Sequence, residues 1–245
     1  YNYVVGVLTA ALESNSAEHG KVRLLPNTQV SVQDRQLRNL EHRLLDVTWS
    51  VTSTEREKFH RPIRVPLVNG LFGKRVFFIN REDTRFSAAL TVKELQSLRA
   101  VQGQDWPDTR IFRHNGYHVV EATYQSAFRM LAEHFVDYFP RGVLEITYEA
   151  AQRTQESIVI EPSLAVHYPS AMFFFVSHDN ERLAKRIEEG MKNLVESGRL
   201  QEMLRSQPFY QQSQALLKGR TVFRLTNPLL SHASLEALET FAITD

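Results

Sequence analysis

Segments with helical and strand-like patterns alternate along the whole of this 245-residue chain, and that alternation limits the folds open to it. In 123–134, Tyr124, Ala127, Phe128 and Leu131 recur at the spacing of one helix face. The longest apolar runs, such as AMFFFV at 171–176, have the length of a strand. Helices that alternate with short apolar strands favour an α/β fold with largely parallel sheets.

The same patterns predict the individual elements. Ser31 and Asp34 have the spacing of a helix N-terminal cap, and Gly198 is placed to end the last long helix. The predicted helices cover 2–13, 31–42, 91–98, 123–134 and 181–196. The predicted strands cover 21–25, 46–50, 63–67, 74–79, 136–139, 158–160, 171–176 and 221–225.

Bulk composition excludes several classes of function. The net charge of +1 is too balanced for a nucleic-acid partner, which needs a concentrated basic face. The absence of cysteine excludes disulfides, cysteine–zinc sites and thiol catalysis, and it suits an oxidising compartment. We therefore predict no nucleic-acid partner, and we predict no cofactor. No metal site is predicted either, because Asn115-Gly116 signals a turn between His114 and His118 and breaks the helical spacing of a zinc pair. The start at Tyr1, without a visible signal peptide, is expected of a mature or trimmed chain.

Four segments, in this order, resemble the type 2 periplasmic solute-binding family of the amino-acid type. They are LLDVTWSVTSTERE (44–57), TVKELQSLRAVQGQDW (91–106), ATYQSAFRMLAEHFVDYF (122–139) and DNERLAKRIEEGMKNLVESGRLQEML (179–204). Each motif is weak alone, and the ordered set is more specific. The opening strand that the family places before its first helix is not found in these residues, so we expect either that it lies upstream of them or that another segment takes its place in the sheet.

The resemblance implies an α/β fold of two lobes with mixed, mainly parallel sheets. Two crossing strands, near 71–75 and 167–173, would join the lobes. Lobe one would then comprise 1–72 and 172–245, and lobe two would comprise 73–171. A ligand would lie in the cleft between the lobes and would be captured by their closure.

In lobe one, the resemblance points to Arg56 of the T-x-E-R motif. In amino-acid binders this arginine forms a fork to the ligand carboxylate, and hydroxyls such as those of Ser50 and Thr52 complete the site. The alternative is that Arg56 pairs with Glu55 or another nearby carboxylate. Trp49, at the end of a strand, either lines the cleft or packs in the core.

In lobe two, the predicted strand in the stretch VDYFPRG stops at Pro140 and is followed by Arg141. The family usually carries an aspartate for the ligand ammonium group after this strand; here that acid is absent and Arg141 lies next to its place. Repulsion between Arg141 and an ammonium group in a site closed to water would be worth several kcal/mol, at an effective dielectric constant of about 20. This suggests an anionic solute held between Arg56 and Arg141. The alternative is that Arg141 faces solvent or pairs with Glu145.

Further ligand contacts are predicted from the stretch that follows 99–101. Gly103 would let backbone N–H groups approach a ligand, with Gln102 and Gln104 beside it. Trp106 either stacks on the ligand or fills the interior of lobe two. Tyr124, at the start of a helix, either faces the ligand or joins the apolar face of that helix.

The predicted function is capture of a small polar, anionic solute in the periplasm for the permease of an uptake transporter, by a monomeric, non-enzymatic protein. One alternative is a sensor domain that reports ligand occupancy to a signalling partner. Another is a cleft enzyme of the same fold, with Asp105 or Glu145 as general acid or base. A last alternative is a protein of this fold that binds no ligand.

Overall fold

A computed structural model of the chain describes residues 1–27, 33–104, 106–152 and 157–242. The chain divides into two compact units. Unit 1 comprises Tyr1–Gly70, Ser170–Gln211 and Leu230–Asp245, and unit 2 comprises Leu71–Pro169 and Gln212–Leu229.

The described elements are given in chain order. The helices are α1 Asn2–Ser14, α2 Ser16–His19, α3 Gln33–Glu41, α4 Thr54–Phe59, α5 Val92–Ser97, α6 Pro107–His114, α7 Tyr124–Ala132, α8 Ile146–Ala151, α9 Glu181–Glu196, α10 Arg199–Arg205, α11 Pro208–Leu217 and α12 His232–Thr240. The strands are β1 Thr48–Val51, β2 Arg61–Ile63, β3 Lys74–Asn80, β4 Arg99–Gly103, β5 His118–Ala122, β6 Tyr138–Gly142, β7 Ile158–Ile160, β8 Leu164–His167, β9 Met172–Val176 and β10 Thr221–Arg224. A short 3-10 turn covers Leu71–Gly73.

Unit 1 has a three-stranded sheet in the order β1-β9-β2. The central strand β9 is the phenylalanine-rich run, and all five of its residues are buried. Helix α9 packs against α1, and Gly190 of α9 lies against the backbone of Ala11. The amide of Asn15, which follows α1, donates a 2.8 Å hydrogen bond to the carbonyl of Arg186.

Both described pairings in the sheet of unit 1 are antiparallel, whereas the described parallel pairings lie in unit 2. One predicted strand of unit 1 differs from the structure. Residues 21–25 form no strand, and Val22 and Leu25 are largely exposed. A strand needs a neighbour for its backbone hydrogen bonds, and the described ladder of β1 is with β9.

Unit 2 has a larger mixed sheet in the order β10-β8-β3-β6-β4-β5, with β7 paired to β3. Strand β4 is parallel to both β5 and β6, and β10 is parallel to β8, whereas β3 is antiparallel to each of its neighbours. Because β4, β5 and β6 run the same way, their carboxyl ends lie at one edge of the sheet. This edge carries the side chains described in the next section.

The segment 212–229 was predicted to lie in lobe one, and the structure places it in unit 2. Its strand β10 pairs with β8, and Thr221 N–H donates a 2.7 Å hydrogen bond to the Ser163 carbonyl. Residue membership therefore changes between the units at four points of the chain, not at two. A strand-like pattern does not specify which sheet the strand joins, so this pairing was not visible in the sequence.

Most predicted helices are confirmed. Helix α9 covers the predicted 181–196, and Gly198 follows it with φ +73°. Thr91 and Glu94 form a capping box at α5, and the Thr123 side chain caps α7. The cap predicted at Ser31 lies outside the described residues.

Candidate functional site

Arg141 lies among three aromatic rings at the carboxyl edge of the parallel strands of unit 2. Its guanidinium carbon is 4.8 Å from the ring centroid of Trp106, 5.4 Å from that of Tyr124 and 5.2 Å from that of Phe139. Trp106 precedes α6, Tyr124 begins α7, and Phe139 lies in β6. A guanidinium group over ring faces at these distances gains cation–π attraction.

The charge of Arg141 is balanced by two carboxylates of unit 2. Its Nε donates to Glu149 at 2.9 and 3.1 Å, and its Nη2 donates to Glu149 at 2.5 Å and to Glu145 at 2.9 Å. The Arg141 and Glu149 side chains are 11% and 10% exposed. Burial opposes the charged form, but the hydrogen bonds that Arg141 donates to Glu149 and the charge of Glu145 raise the pKa of Arg141 above its usual value. We call the three rings and the Glu149 carboxylate the Arg141 cage.

The cage explains the position of Arg141 in the chain. Strand β6 was predicted to stop before Pro140, but it continues to Gly142 and pairs with β3 through Pro140 and Arg141. Proline removes only its own N–H from the ladder, and the Pro140 carbonyl still accepts a 3.3 Å hydrogen bond from Gln102. Pairing with Glu145, the alternative weighed from the sequence, is present, and the stronger partner is Glu149 on α8.

Gly103 leaves room for the Trp106 ring of the cage. A Cβ added at Gly103 would lie 2.1 Å from Cε2 of the Trp106 indole, so the indole occupies the space that a side chain would need. The Gly103 carbonyl accepts hydrogen bonds from Trp106 N–H at 3.2 Å and from Thr109 Oγ1 at 2.9 Å. The close approach that the sequence predicted for a ligand is made here by Trp106.

Replacing Gly103 by alanine is expected to displace the Trp106 indole, because the new methyl group and the ring cannot occupy the same space. The chain has two tryptophans, so the W49F variant isolates Trp106 as the fluorophore. We expect W49F/G103A to show red-shifted emission and a loss of stability of about 1–3 kcal/mol. In the control W49F/G6A, where the added Cβ meets only Met203 at 3.7 Å, the emission should be unchanged. Equal emission maxima in W49F and W49F/G103A would contradict this packing.

The two predicted glutamines lie in different surroundings. Gln102 is buried, and its Oε1 has no hydrogen-bond partner within the described part of the chain. Gln104 is exposed. Asp105, named in the enzyme alternative, lies outside the described residues, and Glu145 is engaged with Arg141.

A second ion pair lies in unit 2 and was missed from the sequence. Arg75 Nε donates to Asp108 at 2.6 Å, and the Tyr168 hydroxyl donates to the same oxygen at 2.5 Å. Burial raises the pKa of Asp108, but attraction to Arg75, the hydrogen bonds from Arg75 and Tyr168 and a smaller contribution from Arg141 together hold that pKa below its usual value. The signal in the sequence was an acid in the first turn of a helix begun by Pro107, where an anion is stabilised by the helix dipole.

In unit 1, Arg56 is also engaged within its own unit. Its Nη1 donates to Ser50 Oγ and to the Val51 carbonyl, both at 2.6 Å, and its Nη2 donates to Asp34 at 2.9 Å. Pairing with a nearby carboxylate was the alternative weighed from the sequence, and Asp34 is that carboxylate. Trp49 makes a tilted ring contact with Tyr1 at 5.7 Å.

Thr52 does not join Arg56 and Ser50, because its hydroxyl donates to Glu57 at 2.6 Å. Glu57 also accepts from Arg64 at 2.9 Å, from Ser231 at 2.7 Å and from Ser234 at 2.6 Å. Burial raises the pKa of Glu57, but these hydrogen bonds outweigh it and lower the pKa overall. Glu57 therefore fastens the start of α12 within unit 1, a role that the sequence did not reveal.

Asp137, in the VDYFPRG stretch, accepts from Arg99 N–H at 2.6 Å, from Arg99 Nε at 3.0 Å and from Arg85 at 2.8 Å. Burial raises its pKa, but these hydrogen bonds lower it to about 2.

Because the pKa of Asp137 is lower in the folded state than in the unfolded state, ionised Asp137 stabilises the fold above pH 4. This stabilisation is lost as the pH falls toward 2. We expect the wild type to lose about 1–2 kcal/mol more than D137N between pH 4 and pH 2, allowing for solvent screening of the two arginines. Urea unfolding at pH 4, 3 and 2 measures this difference. Parallel pH profiles of D137N and wild type would contradict the assignment.

One cluster of potential metal ligands occurs among the described residues of unit 1. Glu18, His19 and Glu189 have ligand atoms within 4.8 Å of one another. His19 Nε2 already contacts Glu189 at 2.8 Å, so an ion pair accounts for the arrangement and we assign no metal to it.

The comparisons with known proteins identify the fold. The chain has the type II periplasmic-binding-protein fold, and solved structures with it include transporter binding proteins and sensor domains. No family model matches the chain, and no curated protein matches it.

Three of these structures illustrate the kinds of protein that share this fold. A probable amino-acid ABC transporter extracellular-binding protein, ytmK of Bacillus subtilis, has 10% identity and a TM-score of 0.58, over 82% of this chain and 84% of that one. The periplasmic VFT2 domain of Bordetella pertussis BvgS, in a double-mutant form, has 14% identity and a TM-score of 0.57, over 82% and 81%. A histidine kinase sensor domain similar to periplasmic binding proteins has 17% identity and a TM-score of 0.53, over 82% and 83%.

No helix within the described residues combines the length and the apolar character that crossing a membrane requires.

Proposed function

We propose that this chain is an extracytoplasmic domain that recognises a small polar solute at the carboxyl edge of β4, β5 and β6. The observation that carries the proposal is the position of Trp106 and Tyr124, which lie partly exposed at this edge beside the Arg141 cage. Ligands of open α/β sheets are bound at the carboxyl ends of the strands. Aromatic rings there provide contact area for a small solute.

The proposed solute carries no net negative charge. The anionic solute was inferred from an Arg141 without a counter-ion, but Glu149 and Glu145 supply two negative charges against its one positive charge. Arg56 is likewise paired, with Asp34. An anion would gain little from a guanidinium group already bound by carboxylates, so this geometry does not support the anionic prediction.

Two outputs of solute binding are compatible with the fold, and both belong to the proposal. Capture for an uptake transporter is supported by the likeness to an amino-acid ABC transporter binding protein. Sensing for a signalling partner is supported by the likeness to a histidine kinase sensor domain and to BvgS VFT2, with TM-scores in the same range. A periplasmic location, a monomeric state and closure of two lobes on the ligand remain predictions. We propose no catalytic role.

A thermal-shift screen tests the proposal on the wild-type protein. The compounds are amino acids, amines, polyols and organic acids at millimolar concentrations, and each hit is confirmed by calorimetric titration. We expect saturable stabilisation by at least one compound without net negative charge, and at least tenfold weaker binding by Y124A. Tyr148, which is 68% exposed in the same unit, supplies the matched control, so Y148A should bind as the wild type does. Saturable stabilisation by organic acids alone, or by no compound, would refute the proposal.

A further inference from the structure

We infer that the Arg141 cage is a guanidinium-binding site that the chain fills with its own side chain. The site comprises the rings of Trp106, Tyr124 and Phe139 together with the Glu149 carboxylate, and Arg141 is its tethered occupant. This inference goes beyond the proposed function and does not depend on it, because it concerns a site within unit 2 that is occupied whether or not the domain binds a solute.

The surface of the Arg141 guanidinium group is divided between two kinds of contact. In-plane donors of Arg141 bind the carboxylate oxygens of Glu149 at 2.5–3.1 Å, with Nη2 also donating to Glu145. Three aromatic rings lie within 5.4 Å of the guanidinium carbon. Carboxylate at the edge and rings around the group suit a planar, delocalised cation, whereas an ammonium group has no such plane.

The surroundings are also built to hold this arrangement. Trp106 takes its place only because Gly103 leaves the space beneath the indole empty. Phe139 stacks on Trp106 at 6.3 Å between centroids, and Tyr124 packs edge-on against Phe139 at 6.4 Å. The rings therefore support one another, and their positions do not depend on contacts with Arg141 alone.

The consequence concerns competition between the tethered group and free compounds. A covalently attached guanidinium has a high effective concentration at its own site. A free guanidinium compound at millimolar concentration therefore cannot displace it from the wild-type protein. Removal of the Arg141 side chain should leave a site that accepts the same chemical group from solution.

The experiment is chemical rescue of the R141A variant. We expect R141A to melt about 5–10 °C below the wild type, because Glu149 loses its partner while remaining buried. Methylguanidinium chloride, titrated to tens of millimolar, should restore about 3–5 °C of this loss in a saturable manner. N-methylurea and methylammonium chloride, at equal concentration and ionic strength, should restore none of it, since each lacks either the charge or the plane.

The matched control is R99A. Arg99 also donates through Nε and Nη2 to both oxygens of a carboxylate, that of Asp137, but within the described residues no aromatic ring lies under its guanidinium group. Neither R99A nor the wild type should be stabilised by methylguanidinium. If R141A is recovered unfolded, the yield of folded protein after refolding with each compound replaces the melting temperature. Rescue by all three compounds, rescue of R99A to the same extent, or no rescue of R141A would overturn the inference.

Discussion

Replacing Gly190 by alanine is expected to destabilise unit 1 by about 3 kcal/mol or more, one of the two largest effects predicted for this chain. A Cβ at Gly190 would lie 2.1 Å from the carbonyl oxygen of Ala11 and 2.6 Å from its carbonyl carbon. Both atoms belong to the backbone of α1, so no side-chain rotation can relieve the overlap. The helices α1 and α9 would have to move apart, which would loosen the packing of Leu8 and Ile187, both buried.

Gly6 supplies the matched control, because it is also a glycine inside a helix of unit 1. A Cβ there would meet only the end of the Met203 side chain, at the ordinary contact distance of 3.7 Å. Alanine has the higher helix propensity, so G6A should be neutral or more stable by up to about 1 kcal/mol. Urea unfolding of both variants measures the difference. A G190A variant as stable as G6A would show that α1 and α9 do not approach as described.

Replacing Arg220 by alanine should cost about 3–5 kcal/mol in unit 2, because it leaves the carboxylate of Glu161 buried without its cationic partner. The Arg220 and Glu161 side chains are 5% and 0% exposed, with Nη1 and Oε2 3.3 Å apart. Arg220 also donates to the carbonyls of Glu161 and Leu164, and its Nε donates to that of Leu216 at 2.6 Å. These bonds hold the start of β10 against β8.

The measurement is hydrogen exchange together with urea unfolding. In R220A, the amides of β10 and of 212–220 should exchange faster than in the wild type, since the anchor of this segment is lost. Lys218, which is exposed in the same segment, provides the control, and K218A should change stability by no more than about 0.5 kcal/mol. Unchanged protection of β10 in R220A would mean that the ion pair does not fix 212–229 to this sheet.

Elements with strong local signals were predictable from the sequence. The apolar stripe and the following glycine define α9, and the threonines before α5 and α7 are side-chain caps in the structure. Such signals depend on residues three or four apart, which the sequence displays directly. The prediction of a strand at 21–25 was wrong, and the pairing of β10 with β8 was missed, because strand pairing depends on distant neighbours.

Some of the predicted site residues are neighbours in the structure, and ligand binding by them stays a prediction. Trp106 and Tyr124 lie next to Arg141, as their positions at strand ends and helix starts suggested. The partner that decides the charge of the site, Glu149, lies eight residues beyond Arg141 on α8, a helix that the sequence analysis did not delimit. In unit 1, Asp34 reaches Arg56 from 22 residues away. Counter-ions supplied across the fold are not visible in a local motif.

The most direct test of solute recognition at this edge is a titration of the W49F variant, in which Trp106 is the remaining tryptophan. A compound that stabilises the wild type in the thermal-shift screen is added while the emission of Trp106 is followed. We expect a saturable change in Trp106 emission whose midpoint matches the calorimetric dissociation constant. Trp106 emission that stays constant while calorimetry shows saturation would contradict it.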